Sequence, residues 1–470
     1  MRGIITAAGY VPYHRLDRAA IGAAHGGGGG KGTRSVASYD EDTTTMGVEA
    51  ARLALRSVAT APAVDQLWFS TTSPTYVDKT NATTVHAALR LERDTPAFDA
   101  NGSVRSAAGA LRAALTGSGT TLVVTADQRT GLPNSADERE GGDAGATVLV
   151  GDGAKGAPVI AEYLGGASTS EEFVDRWRVP GDPRSRQWEE RFGETRYVPL
   201  GTEAFKLALD AAGVGAEDLA TVIVAGTHAR AVRQVGGKVG AGTGGVADDL
   251  ALTVGNAGAA QPLLQLAAAL ETAEPGQVLA LVVLSDGCDV FVFRATDALA
   301  SWQPRRTVAQ QIEAGDATLP YLKFLAWNDM VTVQPPNRPE PARASSSAAA
   351  RNEDWKYGFV GSRDRDSGAT HLPPARVSFA GGNADDMEPL PMADVEGTVV
   401  TFTVDRLAYS PSPPIVFAVV DFDGGGRLPV ELTDVAAADV AIGGRVEMSF
   451  RRLNTGDGIA NYFWKAKPVR

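Results

Sequence analysis

The chain has 470 residues, enough for two or three domains of ordinary size. It carries 44 basic and 56 acidic residues, a formal net charge of −12, and this balance disfavours nucleic-acid binding, which needs clustered lysine and arginine. The single cysteine, Cys288, excludes an intrachain disulfide and a cysteine-based zinc site.

The amino-terminal residues contain one short apolar run, IITAAGYV, before polar residues begin. This run is too short for a signal peptide or a membrane span, so we expect a cytoplasmic protein without a membrane partner. The stretch HGGGGGKGT at residues 25–33 lacks the Lys-Ser/Thr pair and the following helix of a phosphate-binding loop. We expect a flexible loop there.

From residue 1 to about 295, short apolar runs alternate with amphipathic helical stretches. In chain order these are MGVEAARLALRSV, QLWFSTT, SAAGALRAAL, TTLVVTA and ATVLVGD. Alternation of this kind predicts a layered α/β domain.

The α/β region also contains a weak internal repeat. GVEAARLALRSV from Gly47 aligns without gaps with GTEAFKLALDAA from Gly201, and an apolar strand pattern follows each. The pair SAAGALRAAL and TTLVVTAD is matched in the same order by AAQPLLQLAAAL and QVLALVVLSDG. The repeat predicts two pseudo-symmetric halves at about 1–155 and 156–295, although any amphipathic helix followed by a buried strand has a similar pattern.

The composition changes after residue 295. A charged helical stretch and a Pro-, Ala- and Ser-rich linker are predicted for 296–354. Farther along, alternating and β-branched runs such as GTVVTFTVDRLAY and GGRVEMSFRRL are separated by glycine and aspartate turns. These runs predict a small all-β barrel at 391–470.

Three motifs in the α/β region carry a family resemblance: YDEDTTTMGVEAARLAL, SPTYVDKTNATTVHAAL and VGNAGAAQPLLQLAAALETAEPGQVL. Together they resemble the 3-hydroxy-3-methylglutaryl-CoA synthase branch of the thiolase superfamily, especially its archaeal type, and more distantly ketoacyl synthase III. The resemblance implies a duplicated thiolase fold, layered αβαβα, over residues 1–295. It also implies a homodimer that takes a CoA thioester as substrate or ligand and has no bound cofactor.

The C-terminal sequences YGFVGSRDRDSGATHLPPARVSFAGG and VTFTVDRLAYSPSPPIVFAVVDFDGGGRLPVELTD resemble the OB-fold proteins that accompany thiolases. Those proteins carry a zinc ribbon before the barrel, so the resemblance implies a degenerate ribbon at 355–390 followed by an OB fold at 391–470. The four cysteine positions of the ribbon fall on Asp364, Ser367, Ser378 and Gly381. His371 alone cannot replace four ligands, so we predict no zinc.

The resemblance also assigns catalytic positions. In condensing enzymes a cysteine at the start of a buried helix attacks the thioester, and alignment of FDANGSVRSAAGALRAAL puts Val104 at that position, followed by Arg105. Thr72, in FSTTSPTY, replaces the glutamate acid/base. Ser103 is a weak substitute nucleophile because its side chain would point elsewhere on the turn. Cys288 is another weak substitute, because it lies in the loop after the last core strand.

Two positions of the catalytic type persist. His228 in VIVAGTHARAVRQ and Asn256 in LTVGNAGAAQP stand where the family has the residues that polarise the thioester carbonyl. Such donors can each contribute about 3–4 kcal/mol. The alternative is that His228 is a satisfied buried histidine and Asn256 a turn residue. Tyr76 is a weaker candidate proton donor.

Two functions remain open at this point. In the first, the chain is an acyl-CoA enzyme without an acyl-cysteine, which makes or breaks a carbon–carbon bond through a CoA-thioester enolate or transfers an acyl group non-covalently. In the second, it is a non-catalytic subunit that presents acyl-CoA to a separate active thiolase. Nucleic-acid binding by the barrel is disfavoured by its many acids, despite the basic and aromatic residues Arg451, Arg452, Tyr462, Phe463, Trp464, Lys465 and Lys467.

Overall fold

The computed structural model describes residues 1–27 and 30–470. Gly28 and Gly29, which fall within the predicted flexible loop, lie outside the described residues. The chain forms two compact units. The first unit consists of Met1–Ala37, Glu49–Thr83 and Arg93–Phe324, and the second unit consists of Ser38–Val48, Thr84–Glu92 and Leu325–Arg470.

Strands and helices alternate up to residue 327. The strands are Gly3–Tyr10 (β1), His14–Asp17 (β2), Thr33–Val36 (β3), Gln66–Ser70 (β4), Ala97–Asp99 (β5), Thr121–Asp127 (β6), Ala144–Gly151 (β7), Ala161–Ser170 (β8), Arg176–Trp177 (β9), Arg186–Gln187 (β10), Leu219–Gly226 (β11), Val278–Leu284 (β12) and Gly287–Ala295 (β13). The helices are Arg18–Ala24 (α1), Thr43–Leu55 (α2), Ala82–Leu89 (α3), Arg105–Thr116 (α4), Ala136–Glu140 (α5), Glu190–Ala212 (α6), Ala229–Val239 (α7), Gln261–Leu270 (α8), Val308–Glu313 (α9) and Tyr321–Trp327 (α10).

Nine strands of the first unit form one sheet in the order β11-β12-β13-β8-β1-β7-β6-β4-β5. The sheet repeats one pattern on the two sides of the β1–β8 pair. Moving outward from β1, two antiparallel pairs are followed by two parallel pairs, and moving outward from β8, two antiparallel pairs are followed by one parallel pair. Strands from residues 3–151 therefore build one half of the sheet, and strands from residues 161–295 build the other.

Helices α4 and α8 share one apolar core with strands from both halves. Leu111 of α4 and Leu264 of α8 belong to the same buried cluster as Val123 of β6 and Phe291 of β13. A separate cluster joins α6 and α7 to β11, β12 and β13. Because β12, VLALVVL, has layers of side chains on both faces, all its residues are buried, as is typical of a strand covered on both sides.

The predicted helices and strands quoted above correspond to α2, β4, α4, β6 and β7, and those of the second repeat to α6, β11, α8 and β12. Helix α6 ends where Gly213 adopts the left-handed conformation, φ 67°, which glycine takes without steric cost. Pro262 lies in the first turn of α8, where its missing N–H is not needed.

The predicted loop position of Cys288 is wrong. Strand β13 begins at Gly287, directly after the two-residue turn Ser285–Asp286, so Cys288 is a strand residue paired with Leu284 and Thr169. It is fully buried, and burial raises the pKa of its thiol. A buried thiol of raised pKa is a poor nucleophile.

The second unit contains a closed five-stranded barrel in the order β17-β18-β19-β21-β20. The strands beyond residue 355 are Val360–Asp364 (β14), Thr370–His371 (β15), Met387–Pro391 (β16), Gly397–Asp405 (β17), Ile415–Phe422 (β18), Arg427–Leu432 (β19), Arg445–Gly456 (β20) and Ile459–Pro468 (β21). Two short helices precede them, Ser346–Arg351 (α11) and Glu353–Lys356 (α12). Short 3₁₀ helices complete the described chain at Ala216–Asp218, Gly258–Ala260, Asp297–Ser301 and Ala437–Asp439. The all-β barrel predicted for the C-terminal region is confirmed.

A buried ionic cluster lies in the second unit. The fully buried guanidinium of Arg451 is 3.2 Å from Asp40, 3.0 Å from Glu41 and 2.6 Å from Asp434, and Lys465 Nζ is 2.9 Å from Asp40. Burial alone would raise the pKa of Asp40, but Lys465 and Arg451 outweigh it and hold that pKa below its ordinary value. We call these five residues the Arg451 cluster. Two cations weighed for nucleic-acid binding are thus enclosed in ion pairs.

The predicted ribbon segment forms a three-stranded sheet, β15-β14-β16. Asp364, at one of the cysteine positions, accepts hydrogen bonds from the hydroxyl of Ser367, from the Asn383 amide at 2.7 Å and from the Asp366 N–H at 3.0 Å. The side chain of Ser378 donates to it as well, and these bonds hold the pKa of Asp364 below its usual range. Among the described residues, no group of three or more His, Cys, Asp or Glu side chains could hold a metal ion.

Candidate functional site

Val104 immediately precedes α4 and already has helical dihedral angles, φ −57° and ψ −32°. It is 6% exposed and lines a cavity of about 650 Å³, which we call the Val104 cavity. The lining of this cavity also includes Thr72, Ser103, Arg178 and Tyr197. The position that the sequence predicts for a nucleophile therefore has an apolar side chain that lines a cavity.

Arg105, the next residue, is held by the second half of the sheet. Its guanidinium donates to Asp289 Oδ2 at 3.0 Å, to the Asp286 carbonyl at 2.5 Å and to the Thr169 carbonyl at 2.7 Å. Asp289 is 5% exposed and also accepts from Arg112 of α4 at 3.2 Å. These bonds join both ends of α4 to β8 and β13 and fix the helix start beside the Val104 cavity.

The hydroxyl of Thr72 is hydrogen-bonded to the buried carboxylate of Asp127. Its hydroxyl lies 2.7 and 2.8 Å from the two oxygens of Asp127, and its N–H donates to the same carboxylate at 3.0 Å. Asp127 ends β6, is fully buried and accepts a further bond from the Ala259 N–H at 2.9 Å. The Thr72 hydroxyl is thus occupied by the Asp127 carboxylate and is not available as an acid or base.

His228 and Asn256 line a second cavity of about 570 Å³, which we call the His228 cavity. His228 precedes α7, and its Nδ1 accepts a hydrogen bond from the Ala231 N–H at 3.1 Å. Its Nε2 lies 2.9 Å from the Glu190 carbonyl oxygen, so Nε2 carries the proton in the neutral ring. Both ring nitrogens are therefore bonded to main-chain groups.

Asn256 is oriented at the carboxyl end of β11. Its Nδ2 donates to the Gly226 carbonyl at 2.7 Å, and its Oδ1 accepts from the Gly258 N–H at 3.0 Å. A side-chain amide has two N–H donors. One N–H of Asn256 therefore remains for a group in the cavity.

Asp175 lies beside His228 and lines the same cavity. A Cβ on Gly193 of α6 would clash with both the Asp175 carboxylate and the His228 ring, so the two side chains meet over this glycine. Asp175 is 6% exposed, and burial raises its pKa, while His228 and Arg176 act in the opposite direction. Tyr197 also packs against the imidazole of His228, with ring centres 5.9 Å apart.

Arg129, Asp137 and Thr227 line both cavities. Asp137 accepts two hydrogen bonds from Arg176, at 2.9 and 2.6 Å. Arg178 donates to the Thr72 carbonyl. Three arginines thus meet the junction of the cavities, two of them supplied by the segment that follows β8.

Tyr76 lies outside the residues that line the two cavities. Its N–H donates to Asn81 Oδ1 at 3.0 Å, and Lys79 Nζ lies 5.5 Å from the centre of its ring. The chain thus brings His228 and Asn256 together, and Val104 and Thr72 together, but not Tyr76 with either pair. Its role as a proton donor stays a prediction.

Several charged residues of the site are missed by sequence reasoning. Asp127 and Arg129 follow the apolar strand TTLVVTA, and polar residues after the carboxyl end of a buried strand are a usable signal. Asp175 and Arg176 lie in a stretch without apolar periodicity. No local pattern distinguishes them from surface residues.

Comparison with characterised proteins supports the family resemblance. The hydroxymethylglutaryl-CoA synthase of Pyrococcus horikoshii is 27% identical over 327 residues, which cover 66% of this chain and 90% of that protein. The hydroxymethylglutaryl-CoA synthase of Archaeoglobus fulgidus is 27% identical over 331 residues, 67% of this chain and 94% of that protein. The model of the "ChsH2, C-terminal OB-fold domain" family matches residues 391–451.

Solved structures agree at the level of the fold. MvaS in complex with 3-hydroxy-3-methylglutaryl coenzyme A matches with a TM-score of 0.56 at 21% identity. The match covers 73% of this chain and 95% of the MvaS chain. The curacin-pathway HMG synthase in complex with holo donor-ACP has a TM-score of 0.57 at 17% identity, with coverage of 69% and 88%. The predicted resemblance to 3-hydroxy-3-methylglutaryl-CoA synthases, the thiolase-type α/β fold and the C-terminal OB fold are confirmed.

Proposed function

We propose that the chain acts on a CoA thioester and makes or breaks a carbon–carbon bond through the thioester enolate, without an acyl-cysteine. Similarity to condensing enzymes that use acyl-CoA supports the substrate class. Val104 at the nucleophile position and the burial of Cys288 support a reaction without a covalent acyl-enzyme. The CoA thioester is the substrate, and no bound cofactor is required.

The observation that carries this proposal is the meeting of Asp175, His228 and Asn256 on one cavity. Enolate chemistry needs a base and a donor for the carbonyl oxygen, and neither role requires a nucleophile. A carboxylate whose pKa is raised by burial is a stronger base than an ordinary surface carboxylate. Asp175 thereby supplies the general base that the sequence reasoning leaves unidentified.

In the cleavage direction, the Asp175 carboxylate takes the proton of a β-hydroxyl group. The bond between the α- and β-carbons breaks, a carbonyl compound leaves and the electron pair forms the thioester enolate. The remaining N–H of Asn256 donates to the enolate oxygen, and the proton held by Asp175 returns to the α-carbon. His228, held by two main-chain bonds, packs against Asp175 and positions it.

The second candidate is a non-catalytic subunit that presents acyl-CoA to a separate active thiolase. Both His228 nitrogens are hydrogen-bonded to the main chain and the Thr72 hydroxyl is hydrogen-bonded to Asp127, and these bonds favour this candidate.

A homodimer is proposed for either function, because β5 occupies the outer edge of the sheet and has a paired neighbour on one side within the described chain. The cytoplasmic location and the lack of nucleic-acid and membrane partners stay predictions. Among the described residues, no helix combines the length and apolarity needed to cross a membrane.

Turnover of β-hydroxyacyl-CoA compounds by the purified chain tests the first candidate. We expect Asp175→Asn to lower kcat by about 10²–10⁴-fold and Asn256→Ala by about 10²–10³-fold. His228→Ala should lower kcat, because Asp175 then loses the imidazole ring that packs against it. Glu171→Gln is the matched control, since Glu171 is an exposed carboxylate of the same segment. Cys288→Ala should keep its activity.

A chain that forms no product alone but increases turnover by an added thiolase would refute the first candidate and support the second. Loss of activity in Cys288→Ala with unchanged stability would refute the cysteine-independent mechanism.

A further inference from the structure

Arg129 is a buried arginine whose side chain packs closely against two glycines. A Cβ on Gly141 would lie 3.0 Å from Arg129 Cβ, and a Cβ on Gly258 would lie 3.0 Å from Arg129 Cδ. Gly258 has φ +54°, a conformation that favours glycine. The residue is 8% exposed, and what remains exposed faces the junction of the Val104 and His228 cavities.

The guanidinium of Arg129 has carboxylates nearby but not within hydrogen-bond reach. It lies 3.9 Å from Asp127 and 3.9 Å from Asp137. Both carboxylates have closer donors, since Asp127 binds the Thr72 hydroxyl and Asp137 binds Arg176. Within the part of the chain that the structure describes, this guanidinium makes no hydrogen bond, and the hydrogen bond donated by Arg129 comes from its backbone N–H.

The guanidinium therefore keeps N–H donors for an acceptor that enters the cavities. Burial, together with the nearby charge of Arg176, lowers the pKa of Arg129 to about 10. Arg178 adds a third positive charge at the same junction. Because an arginine fork presents paired N–H groups, the acceptor that fits it best is a planar oxyanion.

His228 and Asn256 supply few donors to the same space. Both His228 nitrogens are bonded to the main chain, and Asn256 retains one N–H. Compared with His228 and Asn256, Arg129 therefore offers the larger number of donors to the cavities.

Resting on the acyl-CoA function proposed above, we propose that Arg129 binds an oxyanion of the acyl group at the junction of the two cavities. The oxyanion is the thioester enolate oxygen or a carboxylate carried farther along the acyl chain. Both have the same chemistry toward a guanidinium, and two pairs of unreactive probes separate them.

The first pair is S-carboxymethyl-CoA, with a carboxylate near the thioester position, and its neutral analogue S-acetonyl-CoA. The second pair is glutaryl-CoA and its terminal amide. Calorimetry on the full chain should show tighter binding of the charged member in at least one pair, and that pair identifies the source of the oxyanion. Arg129→Gln should remove the preference, a loss of about 10–100-fold for a charged hydrogen bond. Arg129→Lys should retain part of it.

Arg139→Gln is the matched control, because Arg139 is an exposed arginine on the neighbouring helix α5. It should bind all four probes like the wild type. Equal weakening of charged and neutral probes in Arg129→Gln, or no preference for a charged probe in the wild type, would overturn the oxyanion site.

Failure of every CoA compound to bind the wild type would refute the acyl-CoA function instead. Acetate and inorganic phosphate then test Arg129 alone. These anions should raise the thermal midpoint of the wild type more than that of Arg129→Gln, and equal shifts would overturn the inference.

Discussion

Replacement of Arg451 by methionine tests how the second unit is held together. Methionine has a similar length and no charge, so the change removes the guanidinium while keeping much of the packing. Three carboxylates, those of Asp40, Glu41 and Asp434, would lose their contacts of 3.2, 3.0 and 2.6 Å. Lys465 would remain as the cation of the Arg451 cluster, 2.9 Å from Asp40.

Removing one partner of a buried ion pair costs about 3–5 kcal/mol, because the remaining charge stays buried without compensation. This is a large share of the roughly 5–15 kcal/mol that stabilises a typical domain. Arg445→Met is the matched control. Arg445 lies on the same strand, β20, and also contacts carboxylates, Asp423 and Glu396, but these pairs are exposed. Its replacement should cost far less, because solvent screens exposed pairs.

Hydrogen exchange of peptides from β20 and β21 measures the loss in the second unit directly. Acid provides a second readout. The pKa of Asp40 is held below its ordinary value of 3.8, so its contribution to stability is complete above that pH and is lost as the pH falls below it. Arg451→Met should weaken this dependence. Equal exchange rates in Arg451→Met and Arg445→Met would refute the argument.

Two further predictions concern the first unit. Burial raises the pKa of Glu271 from 4.5 to about 7, against the hydrogen bond from the Val308 N–H. The stabilisation that comes from protonation of Glu271 in the folded chain is therefore complete below pH 4.5 and is lost as the pH rises through about 7. Glu271→Gln should remove this loss, at most about 3 kcal/mol, and an unchanged difference between urea midpoints at pH 5 and pH 8 would contradict it. Asp289→Ala leaves Arg105 and Arg112 without their buried acceptor and should cost about 3 kcal/mol in urea unfolding. Asp152→Ala, which breaks an exposed pair with Arg2, should cost little, and similar losses in the two variants would refute the role of Asp289.

Most of the fold can be predicted from the sequence, because the apolar patterns of helices and strands are local. The seven apolar residues of β12 predict a strand covered on both faces, and the helix–strand repeat predicts the duplicated order of the sheet. The alignment of Val104 with the nucleophile of the family rests on the motif FDANGSVRSAAGALRAAL and stays a prediction.

The tertiary hydrogen bonds and contacts of side chains cannot be predicted from the sequence in this way. The bond between His228 and the Glu190 carbonyl joins residues 38 positions apart in sequence, and nothing near His228 indicates it. Asp175 and Arg129 reach the cavities from different loops, so their proximity depends on the sheet order. Tertiary contacts of this kind have no periodic signal.

The composition of the second unit has a consequence for synthesis of the chain. Asp40 and Glu41 leave the ribosome long before Arg451, which follows Asp40 by 411 residues. While those 411 residues are synthesised, the acidic segment 38–48 is without its arginine partner, and the second unit can acquire its native charge pairing only when β20 and β21 have emerged. Premature termination before β20 would yield a nascent chain whose early acidic segment lacks its counter-ions, which makes such fragments candidates for chaperone capture and proteolysis.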